Sequence, residues 1–302
     1  MTEVMARAAQ TAGRQNENQA ALVRLGIACV VAMGVFSPIV YYMVLHWRAV
    51  DDYSHGLLVA PLAIYFAWER RSVLRRTAIQ PSWWGVLPLA LGTVALMVGR
   101  LGVELMAMRV AFVLTIIGLP LLLLGRKVFR VLAFPLLFLF MMVPLPQSLV
   151  NVIAFPLQLI AADFAVNSLH FLQVPALREG NIIHLVGTQL FVAEACAGLR
   201  SLMALGTLAV VFAYFFRRNW LERLLIVLSA IPIAIFVNAF RVAVTGYLAH
   251  RFGSEAADGL IHQTEGFFTF ALAFALLLIE ASLLAMFWPS RWRTTLMGAR
   301  AC

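Results

Sequence analysis

Three side chains that can together break an amide bond are spread over the second half of this chain: Cys196, Arg241 and His262. Cys196 stands in "EACAGLRSL", two residues after Glu194 and four before Arg200, at the edge of an apolar run that needs none of the three for packing. A free thiol ionises near pH 8.5, and a neighbouring imidazolium or guanidinium lowers that by several units, which makes a thiolate nucleophile. Histidine titrates near working pH, so His262 can take the thiol proton and later return one to a leaving amine. Arg241, permanently charged and a fork of donors, can face the oxyanion of a tetrahedral intermediate. It lies in "NAFRV", three positions after Asn238 and on the same helical face; Asn238 would orient either Arg241 or His262.

Each of these residues also has a plainer explanation. An arginine in the outer half of a membrane helix can snorkel to the headgroups, and a lone histidine at a helix start is commonly a polar cap. Arg200, one turn below Cys196, either supports the thiolate, binds a substrate carboxylate, or forms an ion pair with Glu194. The stretch "DDYSHGLLVAPL" brings Tyr53 and His55 to the same membrane face, which makes His55 a rival base. His184 reads as structural. Two other functions compete with amide cleavage. A transporter or lipid-binding protein would use Arg241 and Arg200 for an anionic headgroup or solute, and would tolerate Cys196→Ala. A membrane acyltransferase would carry a lipid acyl group on the same cysteine.

The elements that must position these groups are membrane helices. The 302 residues are 63% hydrophobic and 12% charged, and the mean hydropathy of +0.90 lies outside the range of soluble domains. Only helices of about 20 apolar residues pair every backbone amide inside hydrocarbon. Apolar runs near 22–45, 57–68, 84–99, 103–124, 128–144, 197–216, 221–247 and 265–288 give about eight crossings. A polar tail, 1–20, has the composition of a disordered segment, and the run after it is too long for a signal peptide. Five basic clusters (Arg7, Arg14 and Arg24; Arg70 to Arg76; Arg126 to Arg130; Arg217 to Arg223; Arg291 to Arg300) all fall on one side if 147–172 does not cross. The positive-inside rule makes that side the cytoplasm, with both termini in it. The net charge of +9 is therefore a topology signal and no sign of nucleic acid.

The stretch 147–172, interrupted by Gln158, Asp163, Asn167 and His170 and containing Pro156, suits an interfacial or re-entrant helix at the outer face. After it, β-forming residues flank Gly187-Thr188, with Arg178-Glu179-Gly180 as an earlier turn, which predicts a small periplasmic β-hairpin delivering Cys196 to the outer end of the next crossing. The expected fold is all-α and polytopic, one membrane domain over 21–290, with a cytoplasmic tail at 291–302. Cys29, Cys196 and Cys302 form no CxxC and no Cys/His metal spacing, and the chemistry outlined above uses neither metal nor cofactor.

The motifs "EACAGLRSL", "NAFRV", "HQTEG" and "DYSHG", in this order and membrane context, resemble those of the exosortase/archaeosortase family across about residues 25–288. The resemblance implies a multipass inner-membrane cysteine protease or transpeptidase of Gram-negative bacteria, with Cys196, Arg241 and His262 as its active site on the periplasmic side. Its partners would be exported proteins with a C-terminal sorting tail: a Pro-Glu-Pro motif, one membrane helix and a basic end, in cells that often make extracellular polysaccharide. Membrane lipids would be its other neighbours. Arg178, Arg200 and Arg251 are the candidates for holding the motif's glutamate. Ala197 departs from the serine expected after the cysteine, and the extra C-terminal domain of some relatives is not found here.

Overall fold

The computed structural model describes residues 2–186, 188–192, 199–216, 219–253 and 260–287; for 2–16, 51, 199–201, 260–265, 285 and 287 it describes the backbone alone. The chain forms two compact units, Met1–Pro146 and Gln147–Cys302.

The first unit begins with α1 (Thr2–Ala49), a single helix that includes the polar residues at its start. A 3-10 turn (Asp51–Tyr53) leads to α2 (Gly56–Glu69) and the short basic α3 (Arg71–Arg76). Then come α4 (Val86–Leu101), α5 (Leu105–Leu123) and α6 (Arg126–Phe138), followed by a 3-10 turn, Leu139–Met142. Helices α4 and α5 form a tight hairpin because Gly85, Gly92 and Gly99 fall seven residues apart on one face. A Cβ at Gly85 would collide with the backbone of Leu122, and one at Gly99 with Met108 and the Glu104 carbonyl. Small residues of this kind let membrane helices approach closely where no hydrophobic driving force exists between them. Fully buried Phe66 of α2 meets Phe134 and Phe138 of α6 at ring distances of 5.3 and 5.5 Å.

The second unit is organised around one long helix. Its elements are α7 (Gln147–Phe171), strands β1 (Ala176–Glu179), β2 (Ile182–Leu185) and β3 (Thr188–Phe191), then α8 (Leu199–Phe216), α9 (Trp220–Phe252) and α10 (Leu260–Phe287). Helix α9 packs against α7, α8, α10 and β3. Its first half, through Ile226, Ala230, Ala234 and Val237, shares a core with Leu205, Ala209 and Ala213 of α8 and Ala273, Leu277 and Ala281 of α10. Its second half, through Ala239, Val242, Ala243 and Ala249, shares another with α7 and the sheet.

Among the described residues, six helices are long and apolar enough to cross a membrane: Glu17–Ala49, Trp83–Leu101, Leu105–Leu123, Gln147–Phe171, Trp220–Phe252 and Gly266–Leu284. Gly56–Glu69 and Leu202–Phe216 are shorter apolar helices. The polytopic helical class is thus as expected. The run 128–144 divides into α6, with Pro135 inside it, and the 3-10 turn that follows, before Pro144 and Pro146. The stretch 147–171 is one unbroken helix with the length and hydropathy of a span, where the sequence suggested an interfacial or re-entrant one. Its polar residues are taken up by the sheet. Gln158 Oε1 accepts from Asn181 Nδ2 at 3.1 Å, Asp163 pairs with Arg178 at 3.0 Å, and a His170 ring nitrogen meets the Ala176 carbonyl at 2.7 Å.

The expected hairpin is a three-stranded antiparallel meander, β1-β2-β3. Arg178 and Glu179 lie within β1, and the first turn is Gly180-Asn181, between the paired residues Glu179 and Ile182. Gly180 takes φ +62°, the left-handed value that a two-residue hairpin turn demands and that glycine adopts without strain.

Candidate active site

Arg241 and Asn238 lie one turn apart on α9, at the level where its neighbours change from α8 and α10 to α7 and the sheet. That placement follows from the apolar pattern: Val237, Asn238, Ala239 and Val242 are all buried, so the helix face carrying the two polar residues points into protein. Asn238 is 7% exposed. Arg241 is partly buried with its Nε shut off from solvent, and its carbonyl accepts from Thr245 Oγ1 at 3.0 Å. A guanidinium held in such surroundings acts on developing negative charge far more strongly than one in water.

The other candidates are carried by the elements that pack on α9. Arg200 is in the first turn of α8. Helices α8 and α9 are joined by three residues, so with a rise of about 1.5 Å per residue the start of α8 stands roughly 25 Å and the Asn238–Arg241 turn roughly 27–32 Å along its helix from that connection. His262 is in the first turn of α10, at the end adjacent in the chain to the C-terminus of α9. Cys196 and Glu194 lie outside the described residues, as does the tail 291–302. In sequence, Cys196 stands four residues after Val192 and three before Leu199. Val192 is firmly anchored: it is 1% exposed, and its amide donates to the Asn181 carbonyl at 2.9 Å.

Tyr53 and His55 belong to the first unit. Tyr53 is 6% exposed and its hydroxyl donates to the Leu145 carbonyl at 3.4 Å. Burial raises its pKa, and the nearby Asp52 adds to this, while the Leu145 contact and Arg109 pull it down. His55 Nε2 donates to the Met141 carbonyl at 3.2 Å, which leaves the lone pair on Nδ1. Burial holds its pKa below the usual imidazole value, against the opposing pull of the Met141 and Asp52 backbone. Together with Trp47, whose Nε1 donates to the Met142 carbonyl at 3.0 Å, these two side chains pin the segment 141–145. Among the arginines considered for a substrate carboxylate, Arg178 is occupied by Asp163 and the Leu159 carbonyl, and Arg251 Nε bonds the Tyr247 hydroxyl at 3.3 Å. His184 pairs with Glu179 across the sheet at 3.1 Å, a structural role.

Two features escaped the sequence reading. One is the Gln158–Asn181–Val192 chain of bonds that braces the strand leading toward Cys196. The other is Arg109, 6% exposed within α5. Its signal was present, since a lone charge inside an apolar run marks function by default.

Apolar helices long enough to span, a small sheet docked on the second unit and a buried Asn–Arg turn on its long helix define a polytopic membrane protein. The model of the transmembrane exosortase family matches residues 47–279, from the end of α1 into α10, and the chain belongs to that family. Membership makes it, in general terms, a membrane sorting protease or transpeptidase that acts on membrane-anchored substrates. No curated protein and no solved structure matches the chain.

Proposed function

We propose that this chain is a cysteine endopeptidase or transpeptidase that removes a C-terminal sorting tail from exported proteins through an acyl-enzyme on Cys196. The thiolate attacks the scissile carbonyl, Arg241 stabilises the resulting oxyanion, and His262 gives its proton to the departing amine. Water or an amine then attacks the thioester, losing a proton to His262, and the thiolate is released. Asn238 orients Arg241, and Arg200 supports the thiolate or holds a substrate carboxylate. His55 is the rival base, its proton affinity lowered by burial.

The observation that carries this reading is the family match over 47–279, which takes in the cysteine, arginine and histidine motifs. The packing of α8 and α10 on the helix that holds Arg241 supports it. The tail would carry a Pro-Glu-Pro motif, one membrane helix and a basic end, docking beside the bundle with its scissile bond at the outer interface. The enzyme would reside in a bacterial inner membrane with both termini cytoplasmic and the site facing the periplasm. Co-expression with a tailed reporter, followed by mass spectrometry of the new C-terminus, tests it. Wild type should cleave at one position near the motif; Cys196→Ala, Arg241→Ala and His262→Ala should not. Cleavage by all three variants would end the proposal.

A further inference from the structure

Two basic clusters of the first unit, far apart in sequence, are stitched onto one surface. The chain between α3 and α4 lies along the turn between α5 and α6: the Gln80 amide donates to the Leu124 carbonyl at 3.0 Å and the Ser82 amide to the Leu122 carbonyl at 3.1 Å. Gly125, at φ +89°, is so close to Gln80 that a Cβ there would collide with its carbonyl. Arg70, at the junction of α2 and α3, donates from Nη1 to the Val131 carbonyl of α6 at 3.1 Å. Leu74 of α3, Ile79 and Leu132 of α6 pack on one small core that contains Leu124 and Val128. Helix α3, with Arg71, Arg75 and Arg76, is thereby held against α6, with Arg126, Lys127 and Arg130, and all of these cations are exposed. No acid among the described residues forms an ion pair with them, and between residues 53 and 103 the sequence holds a single acid, Glu69.

Two of the cations rest on indoles. The Arg71 Cζ stands 3.9 Å from the Trp68 ring centroid and the Arg126 Cζ 5.4 Å from that of Trp84. Both indoles are exposed, and Trp83 is 85% exposed. Trp83 opens one membrane-length helix and Leu123 closes another, so this surface stands where hydrocarbon gives way to headgroups, the depth at which tryptophan concentrates. From Trp84 the residues Leu87, Leu91, Val94 and Val98, three or four apart, continue as an exposed stripe along α4. Cations without acidic partners at phosphate depth, with an apolar stripe leading away from them, match an anionic phospholipid at both of its ends. A water-soluble acidic partner would leave the stripe and the indoles without a role. We infer that α3, the start of α6 and Trp84 form a binding surface for an anionic phospholipid of the surrounding membrane, its phosphate held by the arginines and Lys127 and one acyl chain laid along α4.

The test uses native mass spectrometry of the full-length protein released from a neutral detergent, with dioleoyl phosphatidylglycerol as the probe and dioleoyl phosphatidylcholine as the control. Phosphatidylglycerol should bind about tenfold more tightly or better. One cation at a membrane surface is worth roughly fivefold in affinity, so the pair Arg75→Gln and Arg76→Gln, and the pair Lys127→Gln and Arg130→Gln, should each weaken phosphatidylglycerol binding by about tenfold or more. Both double variants should keep the wild-type binding of phosphatidylcholine and the wild-type Tm. Trp84→Leu should weaken phosphatidylglycerol binding as well. Arg100→Gln, in the last turn of α4, should leave it unchanged. Equal binding of the two lipids, a preference that survives both double variants, or a loss as large in Arg100→Gln would overturn the inference. A lower Tm or failure to fold in both double variants would make these cations part of the fold and overturn it too. Displacement of the bound lipid by poly-glutamate would assign the surface to an acidic protein instead.

Discussion

Asn181 Nδ2 donates to Gln158 Oε1 at 3.1 Å, and the Asn181 carbonyl takes the amide of Val192. This joins the middle of α7, through the turn of the meander, to the last described residue before the Cys196 segment. Gln158 is 9% exposed, so its amide has little water to fall back on. Gln158→Leu leaves Asn181 without its acceptor and should cost about 1–3 kcal/mol, while Gln158→Leu with Asn181→Leu should recover part of that loss. Thermal unfolding of the two variants checks this. Equal stability of the single and double variants would mean that the bond does not brace the sheet.

The glycine face of α4 makes a contrasting pair of predictions. Gly85→Ala puts a methyl into the backbone of Leu122 and should destabilise by about 1–3 kcal/mol or more. Gly26→Ala on α1 meets nothing within 4 Å and should stay within about 1 kcal/mol of wild type, on the stable side. Unfolding temperatures in the same detergent decide between them.

Acid should weaken the first unit through His55. Burial holds its folded pKa below the ordinary value of 6.5, so between the two values the unfolded chain binds a proton that the folded chain does not. Stability from this group is therefore complete above pH 6.5 and falls as the pH drops from there toward the folded pKa, by at most about 1.4 kcal/mol per pH unit. His55→Gln should flatten the loss of Tm between pH 7 and 5.5. A slope unchanged by the substitution would remove His55 as its cause.

Arg241→Lys separates charge from shape. If the guanidinium fork meets an oxyanion, the lysine variant should lose about 100-fold or more in kcat with little change in KM, although the charge is kept. A loss carried by KM alone would assign Arg241 to substrate binding.

Much of this design is visible in the residues themselves. The membrane class follows from apolar runs that no soluble core requires, and the turn at Gly180 follows from glycine beside asparagine between β-formers. What the sequence conceals is partnership. Gln158, Asp163 and His170 look like the polar face of an interfacial helix, because nothing in α7 itself reveals that Asn181, Arg178 and Ala176 satisfy them. Strand β1 was read as a turn since Arg178 and Glu179 are poor strand formers, yet its pairing with β2 and the Asp163 bridge hold it extended. The run 128–144 is one apolar stretch by hydropathy, which is blind to where a helix gives way to a 3-10 turn. Arg109 was absorbed into an apolar average. At the site, the Asn238–Arg241 spacing was legible as a shared helical face, whereas their place at the boundary between two cores emerges only from tertiary packing.

In the proposed reaction Cys196 carries the acyl group of the substrate. The most direct measurement is to trap the enzyme with a slowly released tailed substrate, digest it, and locate the adduct by mass spectrometry before and after hydroxylamine. A peptide should be found joined to Cys196 as a thioester that hydroxylamine removes, and should be absent from a folded Cys196→Ala variant. An adduct on another residue, a lipid chain on Cys196, or cleavage that persists in Cys196→Ala would contradict it.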